Sequence, residues 1–188
     1  VLVKLAHSPY SFQAPAGISQ VYLTMCGGGG GGSSDVPPVV GQNGGNSTFG
    51  ALKTARGGFG GATTVCCWSQ GAGGAAGGPG GMNGSNGYTG TFPQGGNTMF
   101  GAGGTDFLSP SGVGRSASGY GAGGAAGSDY INVYGGSGGG AECFISEPVA
   151  VTAGSTYLVT IGSGGAGGSP GSSSAGGDGA PGFALIEW

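Results

Sequence analysis

Glycine in this chain is confined between two strand-like ends, and that confinement limits what the chain can fold into. The run SFQAPAGISQVYLTMC leads directly into Gly27 to Gly32, while PVAVTAGSTYLVTIG and PGFALIEW close the chain. Of 188 residues, 53 are glycine. Each glycine ordered in place of alanine costs about 0.5–1 kcal/mol of backbone entropy, so only a geometry that requires glycine offsets the cost. A flexible Gly/Ser linker carries few aromatics, whereas Phe, Tyr and Trp recur through these tracts from Phe49 to Tyr134.

Size and charge narrow the partners. The mass of 17.5 kDa suits one domain. Charged residues make up 6% of the chain and the net charge is −3, the wrong sign for nucleic acid. No apolar run approaches the roughly 20 residues of a membrane span, and VLVKLAHSPY lacks the pattern of a signal peptide. The start at Val1, already strand-like, reads as a piece of a longer polypeptide. Cys26, Cys66, Cys67 and Cys143 match neither a zinc ribbon nor a thioredoxin motif. Cys26 and Cys143 read as small buried thiols on strands, while the adjacent Cys66 and Cys67 read as free thiols in preference to a strained vicinal disulfide if assembly occurs in a reducing cytoplasm.

The ends predict an all-β fold. VLVKL, YSFQA and ISQVYLTMC read as strands, with Pro15 and Gly17 at the second turn. Val21, Leu23 and Met25 share one face; Tyr22, Thr24 and Cys26 share the other. AECFISEPVAV, TYLVTIG and FALIEW complete roughly five or six strands, half from each end, which form an antiparallel β-sandwich with long glycine-rich loops. The chain divides into N-terminal strands (1–26), a glycine-rich loop region (27–140) and C-terminal strands with one glycine-rich loop (141–188). GAGGAAGG from Gly71 and GAGGAAGS from Gly121 reuse one local structure at uneven spacing. Packed polyglycine II helices, with three residues per turn and no internal hydrogen bonds, account for glycine tracts in which alanine is the tolerated exception. The rival is a set of mobile surface loops; ordered packing is the reading adopted.

Chemistry-bearing motifs are absent. Gly27 to Gly32 lack the Lys-Ser/Thr and the following helix of a phosphate loop. His7 is the sole histidine and has no nominated nucleophile or orienting acid. The seven acids are dispersed with no calcium-loop spacing. The expectation is a non-enzymatic protein with no cofactor and no metal site. The aromatics within the glycine tracts are candidates for a binding surface, since Tyr and Trp offer rigid contact area with a polar edge.

SFQAPAGISQVYLTMCGGGGGGS, GGNSTFG and the ending from AECFISEP to GFALIEW resemble the glycine-rich C-terminal domains of tailed-bacteriophage tail fibres. The likeness covers both ends of the chain; the middle, from Val36 to Ser137, matches only in composition. The resemblance implies a receptor-binding tip, an adhesin at the distal end of a tail fibre on a virion, or on a bacterial surface or periplasmic fibre built from phage-derived genes. It implies a bacterial surface glycan or outer-membrane protein as partner and a homotrimer, although a related kind of adhesin caps its fibre as a single chain. Neither nucleic acid nor membrane insertion is implied. Expected receptor-binding residues are Trp68, Tyr88, Tyr120, Asp129, Tyr130, Asn132 and Tyr134. The alternative is a structural or ice-binding-like polyglycine protein without receptor binding.

Overall fold

A computed structural model of the chain describes residues 3–6, 9–34, 39–63, 72, 74–84, 93–105, 112–127, 135–169 and 175–188, the side chains of 3–6 excepted. These residues form three antiparallel sheets, not closed into a barrel. The first takes the order β1 (Val3–Ala6), β10 (Phe183–Glu187), β3 (Gln20–Cys26), β8 (Cys143–Ala150). The second takes the order β2 (Tyr10–Gln13), β9 (Thr156–Thr160), β4 (Ser47–Phe49), β5 (Lys53–Ala55). The third pairs β6 (Gly101–Ala102) with β7 (Ser118–Gly119). Each of the two larger sheets draws strands from both ends of the chain.

Alternation along the strands builds one core shared by the two larger sheets. Val21, Leu23 and Met25 of β3 and Ala184 and Ile186 of β10 face Phe12, Phe49 and Val159 of the second sheet. All are buried. Phe49 stacks on Tyr157 at 5.1 Å, and Phe12 meets Trp188 edge-on at 5.2 Å. The opposite faces are open to solvent only in part, with Tyr22 and Leu158 exposed but Thr24 and Cys26 buried. Gly17 (φ +81°) and Gly154 (φ +78°) make the turns expected after Pro15 and at Thr152 to Ser155. Where β5 and β8 approach, Lys53 contacts the Glu147 carboxylate and lies 4.9 Å from the centre of the Phe144 ring.

Two features depart from the sequence expectation. The hairpin β4–β5, inside NSTFGALKTA, falls within the expected glycine-rich loop region; its three-residue strands are too short to give a periodic signal. Cys26 and Cys143, expected as small buried thiols on strands, are buried on strands but form a disulfide. They are directly opposed on β3 and β8 although 117 residues apart in sequence, a proximity that spacing does not encode. The bridge is buried beside Phe183, with Phe100, Tyr120 and Leu185 packed around it.

Candidate functional site

Beyond the disulfide the chain leaves β3 as residues 27–34, and here backbone replaces side chain as the packing material. The amides donate in rotation to three antiparallel neighbours. Gly27, Gly30 and Ser33 reach the carbonyls of Glu142, Gly139 and Gly136; Gly28, Gly31 and Ser34 reach Gly45, Gln42 and Val39; Gly29 and Gly32 reach Ala180 and Gly177, all at 2.8–3.1 Å. The carbonyls accept in the same rotation from three parallel neighbours. Gly58 and Gly61 donate to Gly28 and Gly31, Gly165 and Gly168 to Gly29 and Gly32, and Gly124 and Gly127 to Gly30 and Ser33, at 2.8–2.9 Å. The period is therefore three, and every amide from 27 to 34 and every carbonyl from 28 to 33 finds a partner, as buried backbone groups require.

The neighbours also bond to one another around the central run. Gly41 donates to Gly61, Gly139 to Phe59, Gly138 to Gly124, Gly177 to Ala125, Gly179 to Gly165, and Gln42 to Ala166, which closes the ring. No glycine from 27 to 32 takes a left-handed φ, so glycine serves here for space and not for a turn. A Cβ placed on Gly28 to Gly32 would fall 1.9–2.2 Å from a neighbour's carbonyl oxygen. Even alanine is excluded on steric grounds.

Side chains return on the outside at the same period. Ser163, Ala166 and Ser169 form one exposed row, and Arg56 and Phe59 belong to another. Asn43 and Asn46 sit three apart and complete the outward hydrogen bonding of the adjacent run, their Oδ1 atoms accepting from the amides of Gly60 (2.8 Å) and Gly57 (2.9 Å). Asn83, Asn97 and Asp178 serve Ala76, Gly103 and Gly167 in the same way. Sequence reasoning missed this group, although the spacing of Asn43 and Asn46 was its visible signal.

The runs are anchored at one end only. Residues 27, 46, 57, 142, 162 and 182 adjoin or lie close to strands, whereas the opposite ends meet around Ser33 and Ser34. There Ser34 donates from its amide to Val39 and accepts from the Val39 amide on its hydroxyl, both at 2.9 Å. Gly127 donates to Ser33, Gly136 to Ala62, Ala62 to Ala72, and Gly176 to Gly168. Ser33, Ser34 and Ser137 are fully buried at this end, the hydroxyl of Ser137 accepting from the Ala126 amide at 3.1 Å. Among the described residues the result is a platform built mainly of Gly, Ala and Ser opposite the sheets.

Of the residues expected to bind a receptor, Trp68, Tyr88, Asp129, Tyr130, Asn132 and Tyr134 lie outside the described residues. Tyr120 is placed at the sheet end, its ring 4.7 Å from Phe183 beside the disulfide, which is a packing position. Among the described residues no group of His, Cys, Asp and Glu is arranged to hold a metal ion, and no helix is long and apolar enough to cross a membrane. No family model, no curated protein and no solved structure matches the chain.

Proposed function

We propose that this protein is a receptor-binding fibre tip: a β-sandwich base carries a bundle of packed polyglycine II helices whose free end meets a bacterial surface glycan or outer-membrane protein. The observation that carries this reading is the convergence of the unanchored ends on one platform, while the strands among the described residues gather at the other end. The period of three in the hydrogen bonding supports the helix type. A scaffold of this kind supplies contact segments already fixed at their roots, which reduces the ordering cost of binding. Trp68, Tyr88, Asp129, Tyr130, Asn132 and Tyr134 are the proposed contact residues; Tyr120 is omitted because it packs at the base.

The proposed setting is the distal end of a phage-type tail fibre, assembled as a homotrimer and without catalytic activity. The test is adsorption of the labelled domain to a panel of Gram-negative cells, with light scattering for oligomeric state. Saturable, strain-specific binding that is lost on replacing Tyr130 and Tyr134 with alanine, at unchanged melting temperature, is the expected result. Adsorption unaffected by alanine at every proposed contact residue would overturn the reading. The ice-binding alternative draws on the outward row of Ser163, Ala166 and Ser169, and thermal hysteresis of the purified domain would establish it instead.

A further inference from the structure

Away from the platform, on the solvent face of the first sheet, Tyr22, Ser146, Glu187 and Trp188 line a hollow of about 350 Å³. Its size lies at the lower end of the about 300–1,000 Å³ of small-ligand pockets. A larger hollow between the turns at residues 14–17 and 153–154 has no charged or aromatic lining. Three observations single out the smaller one. Tyr22 and Glu187 are direct cross-strand partners on β3 and β10, so their side chains stand next to each other on one face. Tyr22 remains 46% exposed although its strand is internal to the sheet.

Ser146 supplies the second observation. Among the described residues it is the only non-glycine with positive φ, at +48°. The pairing of β3 with β8 shifts register there, and the Ser146 amide donates to the Thr24 hydroxyl at 3.0 Å. A bulge of this kind re-aims side chains, and backbone strain of about 1–3 kcal/mol persists where the surroundings hold it in place. The third observation is charge. Glu142 and Glu147 meet Arg56 and Lys53, whereas the Glu187 carboxylate has no ion pair or hydrogen bond among the described residues.

We propose that this hollow binds an organic ammonium group, with Glu187 as the counter-charge and the Tyr22 ring as its aromatic wall, Trp188 bordering the hollow at the end of β10. A cation over an aromatic ring is attracted by the ring quadrupole, and an adjacent carboxylate adds a charge-assisted contact. A single carboxylate is too few oxygen ligands for a calcium or magnesium ion. Among the described residues no cationic side chain lines the hollow to receive an anion. The ammonium of an amino sugar and that of an ethanolamine headgroup share this chemistry. The proposal stands independently of the distal platform, since Tyr22, Ser146 and Glu187 lie on the first sheet and Trp188 directly follows β10.

The test is titration of the intact domain with glucosamine, ethanolamine, choline and, as the neutral control, N-acetylglucosamine, read on the indole resonance of Trp188. The chain has two tryptophans, so Trp188→Phe assigns the signal. Saturable shifts with the cationic probes and none with N-acetylglucosamine are expected. Tighter binding of glucosamine than of ethanolamine would identify a sugar source, and the reverse a headgroup. Glu187→Gln should weaken binding about tenfold or more, while Tyr22→Phe, which keeps the ring, should retain it. N-acetylglucosamine binding as well as glucosamine, no saturable shift with any cation, or unchanged affinity in a folded Glu187→Gln variant would each overturn the proposal.

Discussion

The sheet base and the glycine runs are stabilised by opposite means. In the base, Leu23, Met25, Phe49, Val159 and Ile186 fill a common interior, so stability comes from apolar side-chain volume removed from water. In the runs the packed surface is the peptide group itself. Gly28 to Gly32 approach their neighbours so closely that a single added methyl overlaps a carbonyl oxygen. The base should therefore be sensitive to subtraction and the runs to addition, and substitutions of opposite sign can separate the two.

Gly30→Ala is expected to have the largest effect. Its Cβ would lie 2.0 Å from the Phe59 oxygen, and backbone overlap cannot be relieved by a rotamer change. The loss should exceed the about 1–3 kcal/mol of ordinary overpacking and abolish cooperative unfolding of the runs. The same substitution at Gly154, where nothing lies within 4 Å but φ is +78°, should cost only about 1–2 kcal/mol. Equal stability of the two variants in urea would break the comparison. On the base side, Phe49→Ala should cost about 3–5 kcal/mol, measured by the same denaturation.

A smaller effect is expected at the junction. Because the hydrogen bonding of residues 27–34 repeats every three residues, a slip by three against 136–142 would restore the same pattern of bonds. The Cys26–Cys143 bridge, at the head of both runs, forbids that slip. Replacing both cysteines with alanine should cost about 2–5 kcal/mol. Amide-exchange heterogeneity confined to the two runs would accompany it, whereas a uniform loss of protection would assign the bridge to the base alone. The smallest effect belongs to Asn43→Ala. It removes the acceptor of the Gly60 amide at an exposed position, for about 0.5–1.5 kcal/mol by thermal melting.

The same division governs what was legible in the sequence. Period-two alternation grouped Val21, Leu23 and Met25 of β3 on one face, and that face lies in the core; which of the two faces turns inward was not legible, because both are substantially apolar. In the glycine runs, composition indicates close backbone approach but not depth. GAGGAAGG places Ala72 and Ala75 in the open, while GAGGAAGS buries Ala122 and Ala125 completely. Identical local sequence thus occupies an outer and an inner position, and only the count of neighbouring runs distinguishes them. The hollow beside Tyr22 was illegible for a related reason: it depends on a register shift opposite Ser146, and bulges carry no compositional mark.

The most direct test of a packed glycine array is native-state hydrogen exchange across residues 20–34, which spans β3 and the central run in one continuous stretch. The account predicts that the amides of Gly28 to Gly32 exchange as slowly as those of Val21 to Met25, since both are buried and bonded. Exchange of the glycine amides at the rate of an unstructured peptide, with β3 still protected, would contradict it.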